Sequence, residues 1–527
     1  MRIPLDRQSD TPLYVQIREH LRESIMTGAL PERTRLPAAR QLAADLGVSR
    51  VTIESAYADL EAEGLIVRRT GSGSFVNLQG RPLRRSNDDW GEPAWPLWQV
   101  ELKQPDGGID GRTGAEFASG TAAGRLEEAG AGGTPDRRPG ESPQAGSRAI
   151  PARDDVISFT GFGDPRQFRI DEFYGAVREV MRRDGVACLE MEDERGYAPL
   201  RASIAHILTS QGIEAHPDNV LVTSGSQQAL SLVTQLLLRP GDTVLVERPT
   251  YDGAIRLFKA HGLRLVGCPV DAWGMQVEAL EPLLQRYHPK LIYTMPTFQN
   301  PTGACMSAAR RRSLVALADQ YNVPVLEDDF AGDLRYDGTA QPALKALDPG
   351  GRVIYAGTFS KLLMPGLRLG FLVAEGPVYQ RLVETKRVND LATGSLIQRA
   401  LEVYVTVGRY HAHLRRLCQA YRKRRDCTIE AVKEWFPPGW EAKAPHGGLF
   451  IWLRLPEGLS AGRLAPVARS YGVEFAPGSR FFPEPPEGEP YIRLNFAAVP
   501  LDTIEEGIRR LGQAVRAAMR LYGSQWA

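Results

Sequence analysis

Five times between residues 220 and 361, a short apolar run rich in β-branched residues stops abruptly at a polar cluster. Val220-Leu221-Val222-Thr223 gives way to Ser224-Gly225-Ser226-Gln227-Gln228, and Thr243-Val244-Leu245-Val246-Glu247 to Arg248-Pro249-Thr250-Tyr251. Leu291-Ile292-Tyr293-Thr294 leads toward Gln299-Asn300-Pro301, Val323-Pro324-Val325-Leu326 to Glu327-Asp328-Asp329, and Val353-Ile354-Tyr355 toward Phe359-Ser360-Lys361. Stretches of helical character, such as Ala229 to Leu238, separate the runs. Strands alternating with helices predict an α/β domain around a mainly parallel sheet, because consecutive parallel strands need a crossover between them. In such a sheet ligands bind at the carboxyl ends of the strands. The polar clusters are therefore expected along one sheet edge. That edge would gather Ser226, Tyr251, Asn300, Asp328 and Lys361, which lie far apart in the chain.

These residue types share one chemical logic. A lysine in a crevice can form a Schiff base with an aldehyde. Pyridoxal phosphate brings that aldehyde and needs a carboxylate at its pyridine nitrogen, a donor near its phenolic oxygen, a ring to stack on and a phosphate cup. Lys361, Asp328, Asn300 and Tyr251 fill the first four places in turn, and Ser226, Gln227, Ser360 and Arg368 form the cup. Small residues opening a helix after Thr223 add backbone N–H groups and the helix dipole. Singly, each residue has an ordinary alternative: Asn300-Pro301 is a turn signal, Tyr251 can be core, and most lysines are solvated. Their order and common placement at strand ends carry the reading.

The first 76 residues have a different texture. Leu13, Ile17, Leu21 and Ile25 repeat at helical spacing, and a second helix is predicted from about Ala38 to Leu46. Gly47-Val48 makes a turn, and Ser49 is placed to cap a third helix carrying Val51, Ile53, Tyr57 and Leu60. Two helices joined by a short glycine turn form a helix-turn-helix. Leu65-Ile66-Val67 and Ser74-Phe75-Val76 flank an Arg-Arg-Thr-Gly-Ser-Gly turn and read as a hairpin, or wing. A recognition helix offers its N-terminal end to the major groove, here Ser49, Arg50 and Thr52, with Arg40 in reach of phosphate. These 76 residues hold ten arginines, no lysine and ten acids, so binding to operator DNA would rest on local placement and on two copies acting together.

Periodicity is lost from 77 to 153. Residues 105 to 148 are rich in Gly, Ala, Pro, Arg and Glu, a composition that buries too little apolar surface to offset chain entropy, so most of this linker is expected to be disordered. Trp90, Trp95 and Trp98 are the exception and are expected to dock on a neighbouring domain as a structural anchor. The division is thus 1–76, 77–153 and 154–527. Five cysteines without C-x-x-C spacing fit free thiols and give no metal site. The N-terminus lacks an apolar signal core and no run of about 18 apolar residues occurs, so a cytoplasmic protein with no membrane partner is expected.

Residues 10 to 76 resemble the winged helix-turn-helix of GntR-type bacterial regulators. The resemblance rests on Pro12-Leu13-Tyr14, Leu36-Pro37-Ala38-Ala39-Arg40, Leu46-Gly47-Val48-Ser49-Arg50-Val51-Thr52, Ala56-Tyr57 and Glu63-Gly64-Leu65-Ile66. Residues 155 to 515 resemble fold-type I aminotransferases through Ser224-Gly225-Ser226-Gln227-Gln228, Asn300-Pro301-Thr302-Gly303, Ser360-Lys361, Gly366-Leu367-Arg368-Leu369-Gly370, His446-Gly447-Gly448-Leu449-Phe450 and Arg493-Leu494-Asn495-Phe496. Both parts, in this order, resemble the MocR subfamily of regulators. That resemblance implies a smaller C-terminal α+β subdomain, a head-to-tail homodimer, and Arg493 gripping the carboxylate of an amino compound. It implies a transcriptional regulator in which the amino compound displaces Lys361 as an external aldimine, with no residue dedicated to turnover. A catalytic aminotransferase with a DNA-binding head is the alternative, and a regulator that senses pyridoxal phosphate itself, or does without it, is a third. The chain departs from the aminotransferase pattern at Phe330 and Met191, where tyrosines usually reach the cofactor's phenolic oxygen and its phosphate. Each missing hydrogen bond would weaken cofactor binding by about 0.5–1.5 kcal/mol.

Overall fold

The computed structural model describes residues 13–26, 30, 34–62, 65–69, 73–76, 95–103, 156–161 and 163–522. Trp90 and the tip of the wing, residues 70–72, lie outside them.

The head contains α1 (Leu13–Met26), α2 (Ala39–Leu46), α3 (Arg50–Ala62) and an antiparallel hairpin of β1 (Ile66–Arg69) and β2 (Gly73–Val76). Ile17, Leu21 and Ile25 line one face of α1 and meet Leu42, Ile53, Tyr57 and Leu60 in a core of their own. Gly47 turns the chain between α2 and α3 at φ +62°, where a side chain would be strained. Ser49 caps α3: its Oγ accepts from Thr52 N–H at 3.1 Å and lies 2.8 Å from Thr52 Oγ1. Leu36 N–H to Ser74 and Val76 N–H to Thr34 tie the segment before α2 to the hairpin.

A short helix, α4 (Leu97–Lys103), lies within the span read from sequence as linker and packs on the large domain. Trp95 rests against Gly351 and Gly376, where a Cβ would stand 3.1 and 2.7 Å from its ring. The fully buried Gln99 donates to Gly351 O at 2.6 Å and accepts from Val378 N–H at 3.2 Å. Trp98 packs on the same core.

The large domain opens with β3 (Ile157–Ser158). Its main sheet holds β4 (Val220–Thr223), β5 (Thr243–Arg248), β6 (Arg264–Asp271), β7 (Gly274–Met275), β8 (Leu291–Thr294), β9 (Val325–Asp329), β10 (Val353–Thr358) and β11 (Gly370–Val373). The order is β4-β11-β10-β9-β8-β5-β6-β7. β10, β9, β8, β5 and β6 pair in parallel, while β11 runs antiparallel to both its neighbours. β4, β8 and β10 are buried along their whole length, which is why their sequences are continuous apolar runs rather than alternating ones. The α/β reading and its five strands agree with this sheet. The last of them is longer than read, since β10 continues to Thr358 and carries the chain almost to Lys361.

A smaller antiparallel sheet follows. β12 (Glu441–Ala442), β13 (Phe450–Arg454), β15 (Ala476–Pro477) and β16 (Tyr491–Asn495) stand in the order β12-β13-β16-β15, and β14 (Val473–Glu474) pairs with β3. The helices Arg409–Trp435 and Leu501–Tyr522 pack on each other beside this sheet; at Gly512 a Cβ would collide with the backbone of Trp435. This is the expected smaller α+β subdomain.

Candidate functional site

The carboxyl ends of the parallel strands place the sequence-singled residues around one crevice. Lys361 follows β10 and is largely buried. Burial first, then the Arg493 and Arg368 charges, push its pKa down to about 7, against the pull of Asp252 and Asp328. Near neutral pH half of such an amine is unprotonated and nucleophilic, unlike an ordinary lysine.

Asp328 is the fourth residue of β9 and only 3 % exposed. Burial raises its pKa to about 7, with Tyr293 holding it lower than burial alone would. Tyr293 Oη, from β8, donates to Asp328 Oδ2 at 2.7 Å, whereas the buried Oδ1 has no partner among the described residues. A buried carboxylate oxygen left bare is costly, so this one is suited to a donor that arrives with a ligand. Tyr293 escapes sequence reading because it sits inside an apolar run and its partner is 35 residues away.

The residues expected to form a phosphate cup gather where β4 ends. The helix Ser226–Leu237 starts after Gly225, whose φ of +101° brings its backbone under Arg368; a Cβ there would lie 3.1 Å from the guanidinium. Arg368 itself adopts φ +49° and donates to Ser224 O at 2.7 Å. Ser360 N–H is held by Thr358 Oγ1 at 3.1 Å, and Ser360 Oγ is buried without a partner among the described residues. Gln227 Oε1 is 3.4 Å from Tyr251 Oη, a long contact between cup and ring. Gly253 lets the Tyr251 ring lie flat against the chain, since a Cβ there would collide with it.

Asn300 is positioned from below. Glu247, fully buried, accepts from Thr294 Oγ1 at 2.6 Å and from Gln299 Nε2 at 3.0 Å, and Gln299 also donates to Pro249 O. Asn300 Oδ1 then accepts from Arg493 at 2.9 Å. The Arg493 guanidinium lies between Phe450 and Phe481, 4.1 and 4.6 Å from their centroids, and its buried Nε has no partner among the described residues. Burial pushes its pKa down to about 10, which leaves it a cation at neutral pH. Phe330, stacked on Phe450 at 6.0 Å, braces this arrangement from behind and offers no hydrogen bond to the crevice. Met191 is 78 % exposed.

The orphaned Asp328 Oδ1 and Ser360 Oγ, the glycine-opened helix end and the low-pKa lysine together fit pyridoxal phosphate. In the head, Ser49 and Thr52 stand at the start of α3, partly exposed, while the Arg40 and Arg50 side chains lie outside the described residues. All five cysteines are free thiols. No group of metal-ligating side chains occurs among the described residues, and none of the described helices is long and apolar enough to cross a membrane.

Two families match the chain: aminotransferase class I and II over residues 161–511, and bacterial regulatory proteins of the gntR family over residues 13–76. The HTH-type transcriptional regulator TauR of Rhodobacter capsulatus is 31 % identical, covering 96 % of this chain and 96 % of that protein. The probable rhizopine catabolism regulatory protein MocR of Rhizobium meliloti is 30 % identical over 97 % and 96 %. The crystal structure of Pyrococcus horikoshii kynurenine aminotransferase, in complex with PMP, superposes with a TM-score of 0.66 at 37 % identity, over 69 % of this chain and 91 % of that one.

Proposed function

The chain belongs to the class I and II aminotransferase family and carries a gntR-family head, and from that premise we propose that it reads an amino compound in the large domain and answers at operator DNA. It is a pyridoxal phosphate-dependent regulator of the MocR type. The observation that carries this reading is likeness to regulators along both parts of one chain, not along the large domain alone.

When bound, pyridoxal phosphate supplies an aldehyde that condenses with primary amines and a ring that withdraws electrons. Lys361 offers an amine that is half unprotonated near pH 7. Asp328 Oδ1 would hold the ring nitrogen, with Tyr293 keeping that carboxyl in place, Tyr251 would stack on the ring, and Asn300 would serve the phenolic oxygen. Gly225, Ser226, Gln227, Ser360 and Arg368 would take the phosphate. Arg493 would grip the carboxylate of the incoming amine, for which its rigid fork and an Nε with no partner among the described residues are suited. Arg40, Ser49, Arg50 and Thr52 contact the operator. Because Ser49 caps α3 while facing outward, it would orient that helix and touch DNA with one hydroxyl.

Two copies are needed for two half-sites. Ile170, Tyr174, Met181, Val186, Leu189 and Met191 are all more than half exposed and cluster between residues 170 and 191, which supports a surface covered by a second copy. A cytoplasmic location follows from this role.

A second reading, a working aminotransferase with a DNA-binding head, is favoured by Lys361 and the bare oxygens of Asp328 and Ser360 near it. Steady conversion of amino acid and keto acid at about 1 s⁻¹ or faster would support it. The regulator reading is tested by titrating the purified protein with operator DNA, with and without amino compounds. Arg50→Ala should cost about 1–3 kcal/mol of operator discrimination. Unchanged discrimination, or DNA binding indifferent to every amino compound, would defeat it.

A further inference from the structure

At the mouth of the crevice a single acid, Asp252, meets two arginines close to Arg493. Asp252, the first residue of the helix Asp252–Ala260, directly follows Tyr251. Its Oδ2 is shared by two arginines, Arg256 and Arg480, each at 3.2 Å. Arg256 belongs to the same helix, but Arg480 comes from the smaller subdomain, in the turn Gly478–Phe481 that follows β15. That turn is fastened here: Phe481 O accepts from Thr250 N–H at 2.8 Å, and the Phe481 ring covers Arg493. β15 also pairs with β16 at Ala476–Arg493, which fixes Arg480 on the Arg493 side of the mouth. The charges sense one another, since Asp252 draws the Arg493 pKa up while Arg480 presses it down.

One carboxylate between two guanidiniums leaves one positive charge over, and Arg493 adds a second. Building on the reading of Arg493 as the carboxylate grip, we propose that the amino compound carries a second, distal anionic group, which Arg480 takes up in exchange for Asp252. An acidic amino acid would satisfy both surplus charges. A neutral one would satisfy only Arg493, and a diamine or basic amino acid would bring positive charge to a mouth already rich in it. Arg480 can make the exchange because it is half exposed and, among the described residues, held by a single 3.2 Å contact. Arg256 remains with Asp252, so the displaced carboxylate is not left bare.

The test uses full-length protein loaded with pyridoxal phosphate and titrated with L-glutamate, its isostere L-glutamine, and L-lysine, read by the visible absorption of the bound cofactor and by melting temperature. Glutamate should bind about tenfold more tightly than glutamine, as a charge-assisted contact allows, and lysine most weakly. Arg480→Gln should collapse the glutamate-to-glutamine ratio toward one, Arg480→Lys should retain part of it, and Asp252→Asn should raise it by freeing Arg480. Equal affinity for glutamate and glutamine, a preference for lysine, or a ratio unmoved by Arg480→Gln would overturn the proposal while leaving the amino-compound reading intact. If none of the three shifts the absorption of wild-type protein, this inference fails, while the broader reading is decided by operator binding across amino compounds.

Discussion

Asp328 and Asp329 are neighbours on β9 that point to opposite faces of the sheet, and both are acids with raised pKa values, Asp328 buried and Asp329 half-buried. They differ in how well they are satisfied. Asp329 accepts from Tyr355 Oη at 2.8 Å and from Gly332 N–H at 2.7 Å, one bond to each oxygen. Asp328 has Tyr293 on one oxygen and, among the described residues, nothing on the other. Glu327, one residue earlier, resembles Asp329, with both oxygens taken by the N–H groups of Leu344 and Lys345. A high pKa therefore fails to separate the working acid from its structural neighbours, because burial raises all three. The bare oxygen does separate them.

The largest effect should come from exchanging these roles. Asp328→Asn should weaken pyridoxal phosphate binding by about 3 kcal/mol, roughly a hundredfold, since a charged partner to the ring nitrogen is lost. Asp329→Asn should instead lower unfolding stability by about 1–3 kcal/mol and leave cofactor affinity within about threefold. Cofactor titration and urea unfolding of both variants would show this, and equal losses of affinity would end the distinction.

Acidity should come next. Lys361 is depressed to about 7, so its amine is mostly free only above that pH, and Asp328, raised to about 7, is ionised over the same range. Both act in one direction. Capture of added cofactor should speed up by more than tenfold per pH unit below 7, approaching a hundredfold where both groups are protonated, and level off above 7, as stopped-flow absorbance would record. An Asp329→Asn variant should keep the shape of this profile but shift it to lower pH, since the Asp329 charge helps to raise the Asp328 pKa.

Tyr293→Phe sharpens the comparison further, since it strips Asp328 of its only described hydrogen-bond donor and leaves Asp329 alone. About 1 kcal/mol of cofactor affinity, near fivefold, should be lost. Phe330→Tyr should have the smallest effect, a gain of at most about 1 kcal/mol in cofactor binding if the new hydroxyl reaches the crevice. Calorimetric titration would measure both.

Much of this was legible beforehand, for physical reasons that vary by residue. The parallel strands could be read because burial on both faces forces continuous apolar runs, and Lys361 because it follows one of them. The Asp328–Asp329 contrast could not, since it depends on Tyr293 and Tyr355, whose hydroxyls are hidden inside two of those runs. Arg480 meets Asp252 across 228 residues and two subdomains, and no local pattern announces such a pair. The cap at Ser49 was visible; that the same hydroxyl lies against Thr52 was not.

Gln99 carries a consequence for reach. By sequence, the head and the large domain are separated by 77 residues, which could stretch to about 250 Å. With Trp95 and Gln99 fastened at Gly351 and Val378, only residues 77–94 remain between the hairpin and the first anchored residue. Whatever their conformation, eighteen residues span at most about 60 Å. The long segment after Lys103 then adds nothing to the leash. A short leash keeps the local concentration of a second head high once the first is bound, and limits how far apart two half-sites can lie.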